Sequence, residues 1–115
     1  LKNKLMMINP DDVFISQSTH AEIIYGLQKG GNIIKHINRV NSFLETLSIL
    51  DWDEQCAHAY GKVRNELRLQ GVTVQSMDLM IGAHAIGHNM TLISNDHIFD
   101  HFKQFGLVLE NWQTA

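Results

Sequence analysis

The sequence predicts an α/β fold on a mostly parallel sheet. The strand candidates are short and apolar, helical segments separate most of them, and acidic residues sit at helix starts and just past strands. Short apolar strands alternating with helices are the pattern of a sheet covered on both faces and joined by crossovers. A length of 115 residues fits a single domain spanning 1–115, and an apolar fraction of 44% can supply its core.

Val13-Phe14-Ile15 follows two aspartates and has the length of a buried strand. Thr19 and Glu22 stand three apart, as in a capping box, and open a helix that Gly30-Gly31 stops. Ile33, Ile37, Val40, Leu44 and Leu47 step by four and three, placing one apolar face on a second helix. Lys35, Arg39 and Glu45 fall off that face. Ser48-Ile49-Leu50 reads as a strand that ends at Asp51-Trp52-Asp53.

The clearest helix runs from Asp53 to Gln70, with Cys56, Tyr60, Val63 and Leu67 as its stripe, Glu54 and His58 as an i,i+4 pair, and Gly71 as its stop. A loop follows from Val72 to Ser76. Met77–Ile86 is apolar and rich in small residues, which lets a helix pack closely, and Gly87 and Asn89 end it. Thr91–Ser94 is a further strand. A short helix from His97 to about Gln104 breaks at Gly106, and Leu107-Val108-Leu109 is the last strand.

Composition narrows the function classes. A single cysteine, Cys56, excludes an internal disulfide and points to a reducing cytoplasm, with the thiol in the core. The apolar run Leu5–Ile8 is too short for a membrane span or a signal-peptide core. A formal charge of −3 argues against a protein that coats nucleic acid, but not against an enzyme that holds cations beside RNA.

Ligands gather at the carboxyl ends of parallel strands. Glu22 lies shortly after the first strand, Asp96 lies just past Thr91–Ser94, and Asp78 opens a helix. Three such carboxylates could converge, and convergence is costly unless a cation neutralises it. Mg2+ or Mn2+ takes oxygen ligands and can activate water against a phosphodiester. Spacing alone leaves a second reading open. Acids also stabilise helix starts, so Asp96 could be an N-cap, Glu22 a capping-box acid and Asp78 a first-turn charge.

The histidine pairs His84/His88 and His97/His101 have a spacing that can present two zinc ligands on one helix face. Neither carries the glutamate of a zinc-protease helix, and closed sites need three or four ligands, so these pairs alone do not predict a zinc site. Thr19, Ser94 and Asn95 are candidates to orient the acids or the waters around a metal.

Four strings carry a family resemblance. Ser18-Thr19-His20-Ala21-Glu22-Ile23-Ile24-Tyr25-Gly26 resembles the T-x-A-E-L-x-x-G block of VapC toxins, and Met77–Ala85 resembles their D-L-L-I-A-A-H-A block. Thr91–Asp96 resembles T-L-V-T-N-[ND], and Leu109-Glu110-Asn111-Trp112 resembles the closing L-x-x-E-[DN]-W. The blocks occur in order along nearly the whole chain. The resemblance implies a PIN fold, with a parallel sheet sandwiched between helices. It implies an Mg- or Mn-dependent endoribonuclease acting on tRNA or other structured RNA in the bacterial cytoplasm. It also implies a VapB-type antitoxin as partner, and makes a homodimer plausible. Glu22, Asp78 and Asp96 match the family's second, third and fourth acidic positions.

Two departures stand out. Gly71–Ser76 lacks the usual Pro and second Gly, which should alter only a loop. The family's opening strand, ending in L-D-T-N with the first acid, has no counterpart here, and the expectation is that the natural product begins upstream. The alternative is a non-catalytic or truncated PIN-like module that binds an antitoxin or self-associates.

Overall fold

The computed structural model describes residues 13–29, 38, 42, 45 and 48–111. The chain divides into two compact units, Lys2–Asp51 and Trp52–Ala115.

In the first unit, β1 (Phe14–Ser16) leads directly into α1 (Gln17–Lys29), and β2 is Ser48–Leu50. The two strands pair in parallel, Phe14 opposite Ser48 and Ser16 opposite Leu50. Parallel neighbours need a crossover, which the intervening helical chain supplies. Ser16 caps α1: its Oγ accepts from the Thr19 N–H at 3.0 Å and donates to Thr19 Oγ1 at 2.9 Å. The helix therefore starts one turn earlier than a capping box at Thr19 and Glu22 would place it, and its first turn carries no acid. The reason is local. With no loop between strand and helix, the last strand residue meets the first unsatisfied N–H groups. The apolar stripe from Ile33 to Leu47, with Lys35 and Arg39, lies outside the described residues. Asn38, Ser42 and Glu45 are helical and exposed.

In the second unit, α2 (Glu54–Leu69) and α3 (Ser76–Gly87) precede β3 (Thr91–Ile93), a 3₁₀ helix (His97–Phe105) and β4 (Val108–Glu110). β3 and β4 pair in parallel, Thr91 opposite Val108 and Ile93 opposite Glu110. Asp53 caps α2, its Oδ1 accepting from the Cys56 N–H at 3.0 Å. Gly71 ends the helix at φ 75°, and the Val72 N–H returns to Leu67 O at 2.9 Å. Cys56, Val63 and Leu67 are buried and Tyr60 is half-buried, as the stripe predicts.

Glycines set how closely α3 packs. A Cβ on Gly87 would stand 2.9 Å from the Cys56 backbone, and one on Gly82 would enter the Phe102 ring. Phe99, Phe102 and Phe105 recur every third residue, which lines them up on one face of a 3.0-residue helix. Phe99 and Phe102 are buried in a core with Val63, Leu67, Leu79, Ala85 and Leu107, and Phe105 packs against it. The segment expected as a short helix is thus a 3₁₀ helix because its apolar period is three. It stops at Gly106, φ 92°. Among the described residues no helix is long and apolar enough to cross a membrane.

Gly82→Ala is expected to destabilise the protein by about 1–3 kcal/mol through overpacking against Phe102. Urea denaturation measures it, and pairing the change with Phe102→Leu should recover part of the loss.

Candidate active site

Asp96 lies beyond the carboxyl end of β3 and is exposed. Its Oδ1 accepts from the Ile98 N–H at 3.0 Å, so it is the N-cap of the 3₁₀ helix. Ser94 steadies this turn. Its Oγ accepts from the Asp96 N–H at 3.1 Å, while its own N–H donates to Glu110 O at 3.0 Å and extends the β3–β4 pairing. Asn95 is exposed between them. The N-cap role is therefore real for Asp96, but it engages one of two oxygens, and a carboxylate offers about four acceptor positions.

Asp78 stands in the first turn of α3, whose N-cap Gln75 makes no side-chain capping bond. Only His88–Met90 separate α3 from β3, so the helix turns back along the strand and its first turn faces the carboxyl end. Burial pushes the Asp78 carboxyl above the ordinary aspartate value of 3.8, and the Asp96 charge pushes it further the same way. A helix-start charge that served only the dipole would gain from its place. At Asp78 burial and the Asp96 charge instead both disfavour the ionised form.

Glu22 belongs to the other unit. It lies in the second turn of α1, exposed and beyond the capping positions, so helix capping does not account for it. Thr19 has its hydroxyl engaged with Ser16 at the helix entry.

The second unit also brings together residues that spacing kept apart. Cys56 on α2 and His84 and His88 on α3 place their ligand atoms within 4.8 Å of one another. Reading the histidines as an isolated pair missed Cys56, which is 28 positions from His84 and donates its thiol to the His84 carbonyl at 3.9 Å. The available signal was a cysteine one turn into a helix beside an H-x-x-x-H helix, and nothing in the sequence pairs those two faces.

A family model described as PIN domain matches residues 1–104. The chain belongs to the PIN-domain family. This PIN domain is 33% identical over 111 residues to ribonuclease VapC2 of Rickettsia felis, covering 96% of the chain and 81% of that protein. It is 31% identical over 106 residues to the tRNA(fMet)-specific endonuclease VapC of Salmonella typhimurium, covering 91% of the chain and 79% of the relative. A crystal structure of VapBC2 from Rickettsia felis bound to a DNA fragment from their promoter matches with a TM-score of 0.86 at 33% identity. That match covers 96% of this chain and 83% of the other. Within the family the PIN domain groups with the VapC ribonucleases, and the α/β class with parallel strands read from the sequence is the one it has.

Two stability predictions follow from the acids. A carboxyl whose folded pKa is raised binds more protons native than unfolded, so stability falls as pH climbs from about 3.8 toward the raised value. Asp78→Asn is expected to remove that loss and raise the melting temperature of the metal-free protein at neutral pH, with the difference from the parent shrinking as the pH is lowered toward 3.8. Asp96→Ala should cost about 1 kcal/mol as a lost cap, and Asp96→Asn much less, because asparagine caps as well as aspartate. Thermal melts of the three variants with EDTA present check both.

Proposed function

We propose that this PIN domain, read as one domain over residues 1–115, is the toxin of a VapBC-type pair. In this reading it is an endoribonuclease that uses Mg2+ or Mn2+ held by Glu22, Asp78 and Asp96. The observation that carries it is the Asp78 carboxyl, raised by burial and by the Asp96 charge beside the carboxyl end of a parallel strand pair. Oxygen-only donors suit a hard divalent cation, which would offset the repulsion between the two carboxylates. The family match runs through both units and the relatives are named as ribonucleases, which supports the reaction class. The name of the Salmonella relative supports tRNA as substrate, with other structured RNA as the wider class. The VapBC assembly supports a VapB-type antitoxin as protein partner.

When bound, the ion supplies charge to lower the pKa of an attacking water and to stabilise the leaving oxygen of a phosphodiester. The chain's residues set the rest. Asp78 directly precedes Leu79, which is buried in the core. Asp96 is fixed by its own capping bond and by Ser94 Oγ on its N–H, so its second oxygen has a defined direction. Glu22 contributes a third carboxylate from an exposed helix face. Ser94 and Asn95 shape the turn that presents Asp96, and Thr19 anchors the start of the helix that carries Glu22.

The intact protein is expected to cut RNA with Mg2+ or Mn2+ and to stop in excess EDTA. Asp78→Asn should lower the cleavage rate by more than the ~10–100-fold typical of an outer partner, while Ser94→Ala should fall within that range. Antitoxin binding should survive both changes. Undiminished cutting by Asp78→Asn, or cleavage that persists without divalent ions, would remove the proposal in favour of a non-catalytic PIN-like module.

A further inference from the structure

We infer that Cys56, His84, His88 and Asp53 form a second metal site, distinct from the acids, that takes a zinc-class divalent transition ion. The thiol and both imidazoles lie within 4.8 Å of one another. Asp53 Oδ2 stands 3.9 Å from His88 Nε2, while its Oδ1 stays in the α2 capping bond to the Cys56 N–H. The thiol and the two imidazoles thus meet where the start of α2 crosses the end of α3, with the Asp53 carboxylate beside His88.

The chemistry of the set selects the ion. Thiolate and imidazole favour zinc-like metals over Mg2+, and one thiolate, two imidazoles and one carboxylate are a tetrahedral complement. With Zn–N near 2.0 Å and Zn–S near 2.3 Å, ligand atoms sit about 3.3–3.8 Å apart. The thiol and the two imidazoles need to close by ~1 Å, within reach of small side-chain rotations, and the Asp53 carboxylate would turn in from its place beside His88. Thiolate and carboxylate charges balance a divalent ion, so the loaded site carries no net charge beside the buried Cys56 and His84. Binding displaces the Cys56 proton to solvent and leaves both imidazoles neutral.

Geometry also gives the site a support and an entrance. Gly87 lets α3 approach the Cys56 backbone, and without that approach the thiol could not reach the histidines. Trp52 packs edge-on to His84, ring centroids 5.6 Å apart, and helps hold the imidazole. Cys56 and His84 are fully buried, whereas the His88 side chain keeps 22% exposure and offers the way in. The ion would tie α2 to α3 and stiffen the helix that carries Asp78.

The test is titration of the full-length protein, thiol reduced, with Co2+ as a spectroscopic stand-in for Zn2+. One equivalent should produce a thiolate-to-cobalt charge-transfer band and tetrahedral visible bands, unchanged by excess Mg2+ and by Asp78→Asn. Cys56→Ser should abolish the charge-transfer band, and His88→Gln and Asp53→Asn should each weaken binding at least tenfold. His88 keeps 22% exposure where Cys56 has none, so His88→Gln tests the site even if Cys56→Ser does not fold. Absence of a charge-transfer band in the parent protein, unaltered affinity in His88→Gln, or Co2+ binding that Mg2+ competes away and Asp78→Asn removes would each overturn the inference. Loss of cleavage in Asp78→Asn with the cobalt spectrum intact separates this site from the catalytic one.

Discussion

The close approach of α2 and α3 is the constraint on which the second unit depends. Gly87 permits it, since any side chain there would strike the Cys56 backbone. Interiors are packed to crystal density, so a helix cannot be moved outward by one methyl without losing contacts along its length. That approach buries Cys56, Leu79, Ala83 and His84 together. It also fixes where the first turn of α3 stands, and so where Asp78 is held. Gly82 repeats the device on another face, where Phe102 of the 3₁₀ helix lies against bare backbone.

The acids sit on this frame at a cost. Asp96 has a favourable local role, capping the 3₁₀ helix through one oxygen. Asp78 does not, because burial and the neighbouring charge both disfavour its ionised form. Capping through one oxygen leaves the other oxygen of Asp96 uncommitted by that bond, whereas Asp78 has no such favourable local role.

Much of the fold was legible because its signals are local. β2 is the run Ser48–Leu50, and α2 has the cap, stripe and stop that Asp53, Cys56–Leu67 and Gly71 announce. Two local readings missed by a small margin for a physical reason. Ser16 rather than Thr19 caps α1 because the strand joins the helix without a loop. The segment His97–Phe105 winds as a 3₁₀ helix because its phenylalanines recur every third residue. Of the site, each acid and its place near a helix start or strand end could be read directly. Whether an acid was a cap or a ligand could not, because both roles draw on the same residue type at the same position.

By itself, then, the sequence determined the order of elements, their turns and caps, the apolar stripes and the family strings that carry Glu22, Asp78 and Asp96. These depend on residues within a turn or two of one another, where spacing dictates geometry. Only the tertiary structure decided that Asp78 feels Asp96, and that Cys56 meets His84 across 28 positions with His88 and Asp53 beside them. Those meetings are set by how far apart two helices pack and which faces they turn to each other. That distance is set by side-chain volumes summed over a whole interface, which no local spacing encodes.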